Sequence, residues 1–299
     1  MTASSRSSHV ALVTGANQGL GRALVEGLAA RMSPDDLVLL TGRNPQRVAE
    51  AAREVGALPG TLARVEGRVL DVTDTGAIAR LAEELQDRCG GVDVVISNAV
   101  ARVLPEESQA ERADEYIDVS NVATHAVLRS FGPLLRPGGR LLVVASSLGT
   151  LGRLPARLHH LFDGASLEQV EQAVESWRSA IHDKTAQEAG WPLWLNVPSK
   201  VAQVAAVRAV AAERRERDLA TGTLIAAVCP GMIDTATSRP WFSDYSQAQS
   251  PARAAQAVLD LVFAEGVDPA LYGELVRFGQ VLPWHGGTPP VEQDRLLTP

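Results

Sequence analysis

The stretch Thr14-Gly15-Ala16-Asn17-Gln18-Gly19-Leu20-Gly21 carries the plainest chemistry in the chain. It stands between an apolar run, Val10–Thr14, and a segment in which Leu20, Leu24 and Leu28 recur every four residues. A strand therefore leads into a helix with one apolar stripe. Glycines at such a junction let the backbone turn tightly and approach a ligand. The helix N-terminus adds unpaired N–H groups and a positive dipole end. The diphosphate of a dinucleotide suits this arrangement, and the strand–turn–helix context makes the glycine spacing informative. Gly15, Asn17, Gln18, Gly19, Leu20 and Gly21 are its expected contacts. An NADH-selective site ends its second strand on an acid that binds the ribose hydroxyls. Here that place reads Leu40-Thr41-Gly42-Arg43-Asn44, with no acid. The planar Arg43 cation can grip and stack over a 2′-phosphate, so NADPH is the expected cofactor. The competing reading is an exposed arginine with no ligand.

The elements that must position this turn follow a regular alternation. Strands are expected over Val10–Thr14, Leu37–Thr41, Val65–Asp71, Asp93–Ser97, Leu141–Ala145 and Leu224–Cys229, with a seventh over Leu271–Phe278. Helices are expected over Gln46–Val55, Ile78–Arg88, Ala113–Leu135, Lys200–Arg217 and Ala252–Phe263. Strands apolar on both faces and separated by helices mean a parallel sheet covered on both sides, a Rossmann-type doubly wound α/β fold. The alternation pauses over 153–195, an inserted segment with its own amphipathic helix: Leu167, Val170, Val174, Trp177 and Ile181 are spaced 3, 4, 3, 4. Residues 236–250 are polar, aromatic and turn-rich, and read as a mobile lid. One domain is expected over 9–282, between a flexible 1–8 and a loosely ordered tail at 283–299.

The totals narrow the class. The chain has 299 residues, 45% hydrophobic and 21% charged, with net charge −7 and no long basic run. Nucleic acid is therefore not an expected partner. The opening MTASSRSSH is polar and no stretch is long enough to span a bilayer, so neither secretion nor membrane insertion is expected. Cys89 and Cys229 form no C-x-x-C pair, and a reducing cytoplasm is the expected compartment. The six histidines show no metal spacing, and His159-His160 read as a solvated loop pair.

The G-x-x-x-G-x-G spacing with its preceding Thr resembles the short-chain dehydrogenase/reductase family, and the resemblance runs along nearly the whole chain. Leu70-Asp71-Val72 resembles its adenine-contacting element, Ser97-Asn98-Ala99 its N-N-A-G element, and Pro230-Gly231 with Thr235 the loop that holds the nicotinamide amide. Ser146, with Ser147 second, falls where the family keeps a catalytic Ser, and Lys200 matches the Lys of Y-x-x-x-K, which the resemblance implies lowers the Tyr pKa and holds the nicotinamide ribose of the cofactor. The insertion, ending in Glu188-Ala189-Gly190-Trp191-Pro192, resembles the carbonyl-reductase-like branch. There it covers the helical face used for tetramers, which implies a monomer.

The resemblance is partial at the site itself. It implies a Tyr that gives or takes the proton, and an Asn on the fourth helix that supports a water relay. Asn196 stands at the Tyr position. Ser120 stands at the Asn position, with Asn121 one step on, and Val100 replaces the N-N-A-G glycine. The three tyrosines, Tyr116, Tyr245 and Tyr272, are all remote from Lys200 in sequence. A carboxamide hydrogen-bonds but does not ionise near neutral pH. The expected activity is NADPH-dependent reduction of a small ketone, aldehyde or quinone by Ser146, Asn196 and Lys200. Its proton would come from Lys200, a water or Tyr245. The alternatives are a non-redox catalyst (a cyclase, dehydratase or isomerase) with structural NADP(H), and a cofactor-binding pseudoenzyme. Trp191, Trp194, Trp241 and Phe242 read either as a pocket for a bulky or aromatic substrate or as plain packing.

Overall fold

The computed structural model describes residues 8–241 and 244–286. The phosphate turn joins β1 (Val10–Val13) to α1 (Gly19–Arg31). The first half continues through β2 (Leu37–Gly42), α2 (Pro45–Gly56), β3 (Arg64–Val69), α3 (Thr75–Cys89) and β4 (Val92–Ser97). The second half holds α4 (Gln109–Ile117), α5 (Ala123–Phe131), β5 (Leu135–Val144), α6 (Leu167–His182), α7 (Ala186–Ala189) and α8 (Asn196–Ala220). It ends with β6 (Leu224–Val228), α9 (Pro251–Val262), β7 (Leu275–Arg277) and β8 (Gln280–Leu282).

One eight-stranded sheet has the order β3-β2-β1-β4-β5-β6-β7-β8, parallel throughout except for the β7–β8 pair. The chain reverses direction across the sheet between β1 and β4, which opens a crevice at their C-terminal ends where ligands of such sheets bind. The fully buried runs VALV in β1 and LIAAV in β6 explain why these segments are central strands, covered by helices on both faces.

Helix starts follow local chemistry. Asn44, Asp74, Ser108 and Ser250 each cap a helix through the side chain, and Ser166 forms a capping box with Gln169. Gln18, at the start of α1, makes no such bond, so the first-turn amides beside the glycine turn stay open.

Three expectations change. The continuous helix over Ala113–Leu135 is broken by a π-helical turn at Asp118–Val122, and its last residue opens β5 instead. The seventh strand shortens to Leu275–Arg277 and folds back as a hairpin with β8, because Phe278 and Gly279 take positive φ. The ordered body also runs past Leu282: Trp284 is buried, its Nε1 donates to Asp163 Oδ1 at 3.0 Å, and its carbonyl accepts from Leu151 N. Residues 1–7 and 287–299 of the expected flexible ends, and Phe242 of the expected aromatic group, lie outside the described residues.

Candidate active site

The glycine turn is held from behind. Gly15 has φ +61° and Gly19 φ +57°, backbone that a Cβ disfavours. A Cβ on Gly15 would lie 2.9 Å from Ala99 Cα, and one on Gly21 would lie 2.5 Å from the Gly15 carbonyl oxygen and 2.6 Å from Asn98 Nδ2. Asn98 Nδ2 donates to the carbonyls of Thr14 at 2.9 Å and Gly15 at 3.2 Å. In return Thr14 Oγ1 accepts from the backbone N–H of Asn98 at 2.9 Å and of Ala99 at 3.1 Å. With these carbonyls tied back, the loop presents N–H groups to an anion. Asn98 thus braces the turn from behind.

The other expected cofactor contacts ring this turn. The Asn17 carboxamide lies at the end of β2, where a Cβ on Gly42 would meet its Oδ1 at 3.0 Å. Thr235 Cγ2 would be 3.7 Å from a Cβ on Gly19, so its loop lies over the turn. Arg43 is exposed, and among the described residues its ion pair is a 3.4 Å contact with Glu115 Oε1. An exposed pair of that length is worth little, which leaves the guanidinium available to a phosphate. Leu20 and Val72 are buried beneath the site, while Asp71 is exposed with one oxygen taken by Thr73 N and Oγ1. The open α1 amides, the glycine cradle and the exposed Arg43 together fit a 2′-phosphorylated dinucleotide.

The reacting end lies where β5 and β6 stop against α8. Ser146 follows β5, and its Oγ accepts from Leu148 N at 3.2 Å, so its hydroxyl proton remains free to donate. The 3₁₀ turn after it packs directly on α8: a Cβ on Gly149 would be 2.9 Å from the Lys200 carbonyl oxygen. Lys200 is buried, and Nζ donates to the Val144 carbonyl at 3.3 Å and to Gln203 Oε1 at 2.7 Å. Burial lowers its pKa from 10.5 to about 8. The neighbouring Cys229 thiol is buried too, and burial pushes its pKa up.

Two residues that sequence reasoning left out complete this end. Tyr116, on α4, donates its phenolic proton to Asn196 Oδ1 at 2.8 Å. Its ring is buried, and desolvation raises its pKa far above the ordinary value; the neighbouring Ser120 hydroxyl offsets only part of that. Gln203 sits one turn beyond Lys200 on α8, and its Nε2 donates to the Ser120 carbonyl at 2.7 Å and to Thr124 Oγ1 at 3.0 Å. That carbonyl is released for side-chain bonds by the π turn, which interrupts the regular helical ladder. The i, i+3 spacing of Lys200 and Gln203 was the available signal for the second residue. For Tyr116 the signal was its place one turn before Ser120. Asn121, the other residue considered at this position, points elsewhere: its Nδ2 donates to the Ser199 carbonyl.

The aromatic group divides. Trp191 is buried against Phe162 and Trp177, with ring centroids 6.2 and 6.0 Å away, and belongs to the core of the insertion. Trp194 and Trp241 pair at 5.8 Å at the site's edge, and Trp241 Nε1 donates to the Val103 carbonyl at 2.9 Å. The expected lid is therefore pinned at Trp241, and a bridge between Ile233 and Gln249 ties its base. Among the described residues there is no group of ligands that could hold a metal ion.

Residues 9–156 match the family model for short chain dehydrogenase. The chain is 28% identical to carbonyl reductase [NADPH] 1 of Bos taurus over 94% of its own length and all of the relative's. It is also 28% identical to carbonyl reductase [NADPH] 1 of Homo sapiens, over 92% of this chain and 98% of the relative. Among solved structures, salutaridine reductase from Papaver somniferum superposes with TM-score 0.75 at 20% identity, covering 89% of this chain and 99% of that one. An NADPH-bound carbonyl reductase from chicken fatty liver gives 0.65 at 20% identity, covering 93% and 100%. At such identity the structures speak for the fold.

Proposed function

Since this chain belongs to the short-chain dehydrogenase/reductase family and its full-length relatives are carbonyl reductases, we propose that it is an NADPH-dependent reductase of a small carbonyl compound with an altered proton-donor site. The observation that carries this reading is the glycine cradle braced by Asn98, opposite an exposed Arg43 and within one sheet edge of Lys200. The Gly15–Gly21 amides would hold the diphosphate, Arg43 the 2′-phosphate, and Thr235 the nicotinamide amide. Bound NADPH supplies the hydride. Ser146 and Asn196 orient the acceptor oxygen by hydrogen bonds, and Lys200, buried beneath them, lends positive potential to that oxygen. Asn196 itself transfers no proton, since a carboxamide does not titrate near neutral pH.

The test is direct. NADPH should bind more tightly than NADH in a fluorescence titration, and a panel of ketones, aldehydes, enones and quinones should reveal at least one that consumes NADPH absorbance at 340 nm. Failure of both cofactors to bind would remove the reading altogether. The Asn196 carboxamide also favours a second reading, a non-redox catalyst on a structural NADP(H), because donors aimed at an oxyanion suffice for isomerisation or dehydration. Product formed while NADPH stays unchanged would select it.

The chain is also proposed to act as a monomer. Helix α6 of the insertion lies against α4 and α8 and covers faces that would otherwise be free to pair. Light scattering after size exclusion should return a mass near 31.7 kDa. No helix among the described residues is long and apolar enough to cross a membrane. The cytoplasm is the proposed compartment.

A further inference from the structure

Two hydrogen-bond chains meet at the reacting end, and each runs through a carboxamide. In the first, Tyr116 donates to Asn196 Oδ1 at 2.8 Å. The phenol has one proton, and the Ser120 hydroxyl beside it can donate to the phenolic oxygen, so that proton goes to Asn196. With Oδ1 accepting from the phenol, the carboxamide turns its Nδ2 away from Tyr116. Its Nδ2 hydrogens make no bond within the described protein, and the residue is only half-buried, so they are free for a ligand. In the second chain, Lys200 donates to Gln203 Oε1, and Gln203 Nε2 donates to the Ser120 carbonyl. A glutamine amide fills the path from Lys200 to the π-turn carbonyl. Unlike a water, it does not pass a proton on.

Resting on the reductase reading above, we propose that Tyr116 is a positioning residue that locks Asn196 as a neutral donor to the substrate oxygen, and that Gln203 closes the proton path, so that the site holds an oxyanion without protonating it. Such a site favours acceptors whose reduced anion is delocalised and weakly basic. Conjugated enones are the class that fits. Bound NADPH would supply a hydride, with its electron pair, to form a C–H bond at the β-carbon, and would be left as NADP⁺. The C=C π pair shifts, and the carbonyl oxygen becomes an enolate held by Ser146 Oγ–H and Asn196 Nδ2–H. Bulk water would protonate the enolate at the α-carbon as it leaves. A saturated ketone would instead give a localised alkoxide, a much stronger base that two neutral donors stabilise poorly.

Three measurements test this. The first uses the protein saturated with NADP⁺ and 4-nitrophenol as an oxyanion probe, followed by its phenolate absorbance. The wild type should bind it as the phenolate with a lowered pKa. Asn196→Asp keeps the acceptor for Tyr116 but removes the N–H donors, and should weaken phenolate binding about 10²-fold, the size of one lost oxyanion donor. Tyr116→Phe should weaken it about fivefold by freeing the carboxamide. Second, Tyr116→Phe should lower kcat on an enone by a similar factor while the NADPH Kd stays unchanged. Third, 2-cyclohexenone should be reduced with kcat/KM at least tenfold above that of cyclohexanone. With NADP⁺ shown to bind, equal phenolate affinity in wild type and Asn196→Asp, or faster turnover of cyclohexanone, overturns the inference. Absence of NADP⁺ binding instead overturns the reductase reading beneath it.

Discussion

Lys200 and Lys184 are the only lysines in the chain, every other basic side chain of that kind being arginine. Lys200 is also the buried one, at 8% exposure. Its nearest partners are neutral, the Val144 carbonyl and Gln203 Oε1, and neither repays the desolvation of an ammonium as a carboxylate would. Burial therefore lowers its pKa from 10.5 to about 8, a gap that corresponds to about 3 kcal/mol. Between those two pH values the unfolded chain binds a proton that the folded chain does not. Stability must therefore rise as pH goes from about 8 to 10.5, and below about 8 the folded state bears the full cost of the charge. Lys200→Met removes the charge at similar volume but leaves Gln203 Oε1 without its donor, which costs about 1–3 kcal/mol. The two terms nearly cancel near neutral pH, so the pH dependence is the clean signature. Urea unfolding of both proteins should show the difference moving by about 3 kcal/mol in the wild type's favour between pH 7.5 and 10.5. Labelling with ¹³Cε-lysine gives a direct check, since one of the two side-chain signals should titrate near 8. A Lys200 signal that titrates at 10.5, or a stability difference flat with pH, would refute the argument.

Arg43→Ala should weaken NADPH binding by about 10–100-fold, the loss of a charge-assisted contact, and leave NADH binding unchanged. Paired fluorescence titrations check this, and an equal loss for both cofactors would deny Arg43 the 2′-phosphate. Gly21→Ala places a Cβ 2.5 Å from the Gly15 carbonyl and 2.8 Å from Ala16 Cα. It should destabilise the fold by about 1–3 kcal/mol in urea unfolding and weaken NADPH binding at least about tenfold. His125 is buried with its Nε2 unpartnered, and burial lowers its pKa from 6.5 to about 4. The unfolded chain takes up that proton first as pH falls. Stability should drop by about 1.4 kcal/mol per pH unit between 6.5 and 4 at this site, and His125→Leu should flatten the drop in acid unfolding curves.

The alternation of strands and helices, and the cradle between β1 and α1, were legible in the residues because both are local. A strand apolar on both faces reads as VALV or LVLL whatever surrounds it, and a glycine turn opening an apolar stripe needs only eight consecutive positions. The break in the α4–α5 segment was not legible, because nothing in DVSNV forbids an α-helix. Its π turn is tied to the opposite helix, where Gln203 claims the Ser120 carbonyl. In the same way Trp284 reads as part of a Pro- and Gly-rich tail until Asp163 and Leu151 are brought beside it.

From the residues alone came the glycine turn between a strand and a helix, Arg43 with no acid after the second strand, and Asn196 where the family resemblance implies a Tyr. They could not settle what Asn196 does. Tyr116 is 80 residues away and meets it only when α4 and the start of α8 pack together. A side chain's hydrogen-bonding role depends on which partner reaches it, and across such a separation only the folded backbone decides that.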